Sequence, residues 1–361
     1  MENLLSYENW NEINEGGWST AKTQGTALTP KVIKLIVDQI KIIDSEFNSH
    51  LRELELPSLD FSKPIGSGTW WQEDLKNEPN KTYGDVDFMV AYPTLKLTSG
   101  KEREDEIATV KLYNKELLMF LEADKIAGVD IEETKKVSTP DSIKLIIEVD
   151  IEGTPGWVQV DMVVTHKEYS EWAVFRMTPE KGIKDFVLGK LYSAFGETLE
   201  LSIQPRGVRA KFIGDVMVPF SKRSGVEERL LTMDSKTFMS DIARFFWLQD
   251  EGSKGRDFIP SKSLEQWKGM DPSSPKFSDL CDGIKAVAET LEQLGEFGAI
   301  LKYRSAKDFL SAVVKQYEKR MMEGYNSPKF KKADSPASIA VMNKTRDLID
   351  KYIDLSKNLL K

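Results

Sequence analysis

Two apolar segments that are predicted to be strands carry aspartates among residues suited to burial. They are Asp85-Val-Asp-Phe-Met-Val-Ala-Tyr92 and Trp157-Val-Gln-Val-Asp-Met-Val-Val164, the second of which contains Asp161. Because side chains alternate across a strand, Asp85 and Asp87 leave one face while the apolar residue between them leaves the other. Two carboxylates on one face repel each other unless a cation or water separates them. The pattern therefore favours a divalent metal site.

The second acidic segment belongs to the clearest hairpin in the sequence. A strand-like run, Ile143–Ile151, is joined to it by Glu152-Gly-Thr-Pro-Gly156, a composition typical of a turn. Asp161 lies in the middle of the second strand and is the preferred third acid. Asp150 is an alternative, although its place beside the turn is typical of a turn-forming residue, and Glu148 is a weaker one. Three hard oxygen donors on neighbouring strands suit two Mg²⁺ ions, with Mn²⁺ as a substitute.

A glycine-containing segment before the first acidic strand is a candidate phosphate site. In Gly66-Ser67-Gly-Thr69 the glycines let the backbone approach a ligand, and Ser67 or Thr69 is expected to cap the following helix. The segment is not a Walker A loop, because no Lys-Ser or Lys-Thr follows at the required spacing. It is not a dinucleotide fingerprint either, because Trp71 stands where the third glycine belongs. Trp70 and Trp71 are expected to pack against the core, with base stacking as the alternative.

The predicted elements change along the chain, with strands in the first half and helices in the second. Thr29 and Pro30 suit a helix N-terminus, and a long helix is predicted to follow them. Later helices are predicted over residues 182–196, 226–248, 277–301, 306–322 and 335–360, with a strand pair within 199–218. We therefore expect an α+β fold. It would consist of an N-terminal arm (1–28), a mixed α/β domain that carries the acidic strands (29–200), and a mostly helical C-terminal domain (201–361). The resemblance described below implies that the middle domain is catalytic and that its sheet is mixed or antiparallel.

Charge is also distributed unevenly around the net value of −8. Residues 1–165 contain 17 basic and 30 acidic side chains, whereas residues 166–361 contain 33 and 28. An acidic first part suits metal ions and a basic second part suits a phosphate-bearing ligand, although a harmless fluctuation of surface charge explains the numbers equally well. Arg209 and Lys211 would present charge to phosphate from one face if their segment is a strand.

Composition also bears on the compartment. No run of eighteen apolar residues is present and the N-terminal Met-Glu-Asn-Leu-Leu is acidic, so we expect neither a spanning helix nor a signal peptide. A cytoplasmic protein without a membrane partner is the expectation. The single cysteine, Cys281, is expected to be a small buried hydrophobe.

The order of these motifs resembles that of the DNA polymerase β-type nucleotidyltransferase superfamily, including its virus-encoded members. Ile65-Gly66-Ser67 matches an apolar residue followed by Gly-Ser, Asp85-Val-Asp87 matches the acidic pair, and Val160-Asp161-Met162 matches the third acid. The resemblance covers about residues 30–200. One departure is the gap between Ser67 and Asp85, which is longer than in many members.

The resemblance implies a polymerase β-like lobe that transfers a nucleoside monophosphate from a nucleoside triphosphate to an acceptor hydroxyl, with release of pyrophosphate. It implies catalytic and metal-binding roles for Asp85, Asp87 and Asp161. It implies nucleotide-binding roles for Gly66, Ser67, Lys190 and Ser193. The acceptor stays open, with RNA or another nucleotide favoured, and the oligomeric state is not indicated. The alternative function is a catalytically inactive protein of this fold that senses a nucleotide or joins an assembly.

Overall fold

The computed structural model describes the chain from Leu28 to Lys361 with gaps. The described residues are 28–83, 86–98, 102–124, 126–139, 142–151, 153–178, 185–222, 224–249, 256–267, 269, 277–295, 303–325 and 336–361. The chain divides into two units, Met1–Lys181 and Gly182–Lys361. The predicted domain boundary at residue 200 falls within the second unit and stays a prediction. The predicted arm, residues 1–28, lies outside the described residues except for Leu28.

The first unit combines helices with one four-stranded sheet. Its helices are α1 (Pro30–Glu53), α2 (Trp71–Asn77), α3 (Glu102–Asp124), α4 (Ile131–Val137) and α5 (Ser170–Met177). Its strands are β1 (Asp60–Ile65), β2 (Asp87–Tyr92), β3 (Ile143–Ile151) and β4 (Thr154–His166). Short 3₁₀ segments, Gly66–Trp70 and Lys167–Tyr169, follow β1 and β4.

The strand order of this sheet is β1-β2-β4-β3. The β2–β4 pair is parallel, whereas β1–β2 and β3–β4 are antiparallel. The sheet is therefore mixed, and the predicted α+β class is confirmed. The predicted hairpin is also confirmed, since β3 and β4 pair continuously from Ile151 and Thr154 to Ile143 and Met162.

Helix α1 covers one face of the sheet. It begins as predicted, with Pro30 in its first turn and the Thr29 hydroxyl accepting a hydrogen bond from the Val32 backbone N–H at 3.4 Å. Its apolar residues recur at helical spacing. They are buried against the strand residues that face the helix. From the sheet, this core includes Phe88, Val90, Leu145, Ile147, Val158 and Val160. The packing fixes which face of each strand is apolar.

The opposite face of the sheet is covered by helix α5 over a smaller area. The buried cluster there consists of Ile65, Met89, Val163, Ala173 and Met177. Because residues two apart on a strand share a face, Asp87 lies on the same face as Met89, and Asp161 on the same face as Val163. The two aspartates therefore lie beside an apolar cluster and outside the main core.

The second unit contains most of the remaining helices and a second sheet. Its helices are α6 (Asp185–Thr198), α7 (Phe238–Gln249), α8 (Lys262–Gln266), α9 (Phe277–Leu294), α10 (Ala306–Tyr325) and α11 (Pro336–Ser356), with a 3₁₀ turn at Lys357–Leu360. Its strands are β5 (Ser202–Gln204), β6 (Gly207–Ile213), β7 (Val216–Val218) and β8 (Glu227–Thr232). All pairs in this sheet are antiparallel.

The helix predicted over residues 226–248 is wrong in its first part, where the chain forms strand β8. The segment Glu227-Glu-Arg-Leu-Leu-Thr232 is rich in residues that favour helices, but it pairs along most of β6. The hydrogen bonds of this long-range pairing outweigh local propensity. The Asp234 carboxylate then accepts a bond from the Lys236 N–H at 2.7 Å, forming a turn before α7 begins.

Two further differences concern helix ends and a missed element. Helix α9, predicted to reach residue 301, ends at Leu294, where Gly295 adopts a left-handed φ of 78°. Helix α4 was not predicted, and Asp130 caps it by accepting from the Glu133 N–H at 3.0 Å.

Cys281 is buried on α9, as predicted. Burial raises the pKa of its thiol to about 12, so the thiolate that a nucleophile requires is scarce at neutral pH.

No helix in the described part of the chain combines the length and apolar character needed to cross a bilayer.

Asn48 on α1 is expected to stabilise the connection into β1. Its amide accepts from the Leu59 N–H at 2.8 Å and donates to the Leu59 carbonyl at 3.0 Å. Asn48→Ala leaves both backbone groups without these partners. We expect it to lower the free energy of unfolding by about 1–3 kcal/mol, measured by urea denaturation. Ser49→Ala on the exposed side of the same helix is the control and should change it by less than about 0.5 kcal/mol. Equal effects of the two substitutions would contradict this role.

Candidate active site

Four residues, one from each strand, form a row across the first sheet. Ile65 of β1 pairs with Asp87 of β2, Asp87 pairs with Asp161 of β4, and Asp161 pairs with Lys144 of β3. We call these four residues the cross-sheet row. Residues paired across neighbouring strands point to the same face, so the two aspartates and the lysine lie side by side.

The two aspartates of the cross-sheet row are close together and largely withdrawn from water. Neighbouring strands are about 4.8 Å apart, which brings adjacent carboxylates within reach of one divalent ion. Asp87 is 9% exposed, and the side chain of Asp161 is 12% exposed. Two like charges in such surroundings are costly unless positive charge or hydrogen-bond donors offset them.

Asp161 has a donor on each carboxylate oxygen. The Lys144 ammonium lies 3.2 Å from its Oδ2, and the Gln159 amide donates to its Oδ1 at 2.7 Å. The sequence reasoning missed Lys144. The predicted five-residue connection hid it, because counting back from Ile151 and Trp157 puts Ile147 opposite Asp161. In the structure β4 begins at Thr154, and Lys144 is the partner.

The glycine segment begins directly beside the cross-sheet row. Strand β1 ends at Ile65, and the 3₁₀ segment Gly66–Trp70, here called the Gly66 turn, leads into α2. Gly66 has a left-handed φ of 63°, which a residue with a side chain adopts only with strain. The predicted capping by Ser67 or Thr69 is wrong, because Trp70 occupies the N-cap of α2. The Thr69 hydroxyl instead lies 3.5 Å from the Pro64 carbonyl.

A buried carboxylate ties the segment before β2 to helix α2. Asp74 is fully buried, and its Oδ2 accepts from the Lys81 ammonium at 2.6 Å and from the Tyr83 hydroxyl. Burial, and after it the bond to Asp74, raises the pKa of Tyr83. The Tyr83 backbone in turn donates to the Leu28 carbonyl at 2.8 Å. These contacts hold the chain that leads from the Gly66 turn to Asp87.

Asp85, the first acid of the predicted pair, lies outside the described residues, so its predicted metal-binding role stays a prediction. Among the residues that the structure does describe, no group of three or more His, Cys, Asp or Glu side chains is placed to hold a metal ion. Asp87 and Asp161 supply two neighbouring hard oxygen donors, which is the chemistry that Mg²⁺ prefers. These two residues and Asp85 could hold the ion.

The two alternatives for the third acid lie elsewhere on the hairpin. Asp150 pairs with Pro155 and accepts from the Gly153 N–H at 2.7 Å, as a turn-forming residue does. Glu148 is exposed and pairs with Trp157. Neither is in register with Asp87. Trp71 is partly buried and packs against the α1 core, in agreement with the expected packing.

The remaining predicted nucleotide contacts belong to the second unit. Lys190 and Ser193 lie on α6, and the Ser193 hydroxyl donates to the Gly189 carbonyl at 2.9 Å. Their nucleotide-binding roles stay predictions. Arg209 and Lys211 do share one face of strand β6, but both are buried. The Lys211 ammonium donates to the carbonyls of Phe220 and Lys222 at 2.8 and 2.9 Å, which occupies it within its own unit.

The sequence matches no protein-family model, and no curated protein matches it. The solved structures that are similar to this chain include two of polymerase beta from Leishmania infantum. Its ternary gap complex is 13% identical over 83% of this chain and 80% of that chain, with a TM-score of 0.32. Its ternary P/T complex is 12% identical over 83% and 88%, also with a TM-score of 0.32. An overlap this slight supports no inference about fold or activity.

The left-handed conformation of Gly66 predicts a sharp difference between the two glycines of the Gly66 turn. Gly66→Ala should lower the free energy of unfolding by about 1–2 kcal/mol, because the new Cβ disfavours a positive φ. Gly68→Ala is the matched control, since a Cβ there would meet the Pro64 Cβ at an ordinary 3.8 Å. It should change stability by less than about 0.5 kcal/mol. Chemical denaturation of both variants is the measurement, and a Gly66→Ala protein as stable as the wild type would contradict the assignment.

The buried Asp74 predicts a large cost for removing its cation. Lys81→Met should lower the free energy of unfolding by about 2–3 kcal/mol, because it leaves a desolvated carboxylate with one fewer charged partner. Lys76→Met, on the exposed side of the last turn of α2, is the matched control and should have little effect. Thermal and urea unfolding of the two variants test this, and indistinguishable stabilities would refute it.

Proposed function

We propose that this chain is a Mg²⁺-dependent nucleotidyltransferase that moves a nucleoside monophosphate from a nucleoside triphosphate to an acceptor hydroxyl. The observation that carries the proposal is the lateral pairing of Asp87 with Asp161. Asp87 also pairs with Ile65, the residue directly before the Gly66 turn. Paired carboxylates beside a glycine-containing turn combine a divalent cation site with a backbone that can approach phosphate. The order of the motifs along the chain supports the same reaction.

In this proposal Asp85, Asp87 and Asp161 would hold Mg²⁺, which would supply activation of the attacking hydroxyl and neutralisation of the leaving pyrophosphate. The Gly66 turn binds the β- and γ-phosphates through its backbone. The nucleotide-binding roles of Lys190 and Ser193 stay predictions. The limited exposure of the Asp161 side chain keeps its carboxylate ordered for the acceptor hydroxyl. Catalysis then depends on positioning and charge neutralisation, and no cysteine, serine or histidine nucleophile is needed.

A catalytically inactive nucleotide-binding protein is the second candidate. The ion pair between Lys144 and Asp161 favours it, because this carboxylate already has a cationic partner without a metal ion. Calorimetry distinguishes the two candidates. Nucleotide binding that is equally tight with and without Mg²⁺, and that is never followed by turnover, would support the inactive protein.

The direct test is to incubate the protein with Mg²⁺ and each labelled nucleoside triphosphate, alone and with RNA, DNA or protein acceptors. We expect pyrophosphate release together with transfer of label to at least one acceptor or to a second nucleotide. Asp87→Asn and Asp161→Asn should each lower the rate by about a hundredfold or more, because each removes a negative oxygen ligand from the metal site.

Asp150→Asn is the matched control for these two variants, because it makes the same chemical change on the same hairpin beside the turn. It should retain the wild-type rate. Absence of pyrophosphate release with every nucleotide and acceptor would overturn the proposal. So would full activity of Asp87→Asn, or loss of activity in Asp150→Asn with full activity in Asp161→Asn.

A further inference from the structure

We propose that Lys144 is a resident counter-charge of the candidate active site. It holds Asp161 in place while no divalent cation is bound, and it competes with the cation for that carboxylate. The inference rests on the proposed function, since it concerns how the site takes up its metal ion. It assigns Lys144 a positioning role and not direct contact with the reacting atoms.

The geometry of the ion pair is set by the backbone of the hairpin. Lys144 and Asp161 are partners in the antiparallel β3–β4 register, and their charged atoms are 3.2 Å apart. Their side chains are only 16% and 12% exposed. A pair on paired strands loses little side-chain freedom when it forms, which distinguishes it from a flexible surface ion pair.

Partial burial makes this pair stronger than an exposed one. Attraction between opposite charges rises as the surroundings become less polar, and salt screens a buried pair less. The Gln159 amide occupies the second oxygen of Asp161 at 2.7 Å. Both oxygens of the carboxylate therefore have donors before any cation arrives, and a cation that binds Asp161 must share or displace the Lys144 ammonium.

The consequence is a weakened cation site at Asp161. An ion that depends on this carboxylate is repelled by the Lys144 ammonium and binds more weakly than it would beside a neutral side chain. Lys144 thus lowers the affinity for a cation at Asp161 while preventing two neighbouring carboxylates from destabilising the unliganded protein.

The test compares Mg²⁺ binding, without nucleotide, by the full-length wild-type protein and by Lys144→Met, using calorimetry. We expect the dissociation constant for Mg²⁺ at the site that includes Asp161 to fall by about tenfold or more in Lys144→Met, because one repelling charge is gone. Thermal unfolding gives a second readout. Lys144→Met should melt at a lower temperature than the wild type without Mg²⁺ and should gain more on its addition.

Three variants serve as controls. Lys144→Arg retains the charge and should bind Mg²⁺ like the wild type. Lys144→Gln removes the charge but can still donate a hydrogen bond to Asp161. It should bind Mg²⁺ more tightly than the wild type, and it keeps the test valid if Lys144→Met folds poorly. Lys136→Met removes an exposed lysine paired with Glu133 at 2.7 Å and should change nothing.

The outcomes separate the inference from the proposed function. Mg²⁺ affinities within about twofold of the wild type in folded Lys144→Met and Lys144→Gln would overturn the inference, while nucleotide transfer by the wild-type protein would leave the proposed function standing. Tighter Mg²⁺ binding that Asp161→Asn abolishes would support it. No Mg²⁺ binding by any of these proteins, with no transfer, would overturn both.

Discussion

The parallel pairing of β2 with β4 is the constraint on which the candidate site depends. The two strands are far apart in the sequence, and only this pairing brings Asp87 beside Asp161. Parallel neighbours need a long connection, and here it runs through α3, α4 and β3. Helix α3 also contributes Tyr113, Leu117 and Leu121 to the core below the sheet. The connection that the parallel pair requires therefore also stabilises it.

The sheet can carry charge at its centre because its two faces are covered differently. One face is sealed by α1 and α3 over an extensive apolar core, whereas α5 covers the other with a small cluster. The aspartates occupy the less covered face, where polar partners can reach them. The large core offsets the unfavourable contribution of the charged row, so the site can retain like charges in proximity without a loss of the fold.

Local features of the sequence predicted local structure well. Thr29 and Pro30 identified the start of α1, and the glycine- and proline-containing turn identified the β3–β4 hairpin, because caps and turns depend on a few adjacent residues. Strand β8 was predicted as helix, since its pairing with β6 is invisible to local propensity. The chemical roles of the aspartates stay predictions. The position of Asp87 beside Asp161 depends on the long-range pairing of β2 with β4, which local sequence features do not determine. Lys144 was not accessible to sequence reasoning, because the predicted turn was three residues too long and shifted the register of the hairpin.

The short turn between Ile151 and Thr154 illustrates how a distant turn can determine an electrostatic property. It lies about 24 Å along β4 from Asp161, at the rise of an extended strand. A one-residue insertion that slipped β3 against β4 would move Lys144 to the face packed by α1 and turn apolar residues toward the acids. An ammonium would then be buried in a hydrocarbon core and Asp161 would lose its cation. The length of this turn is thus part of the chemistry of the site, although Thr154, where β4 begins, is seven positions from Asp161.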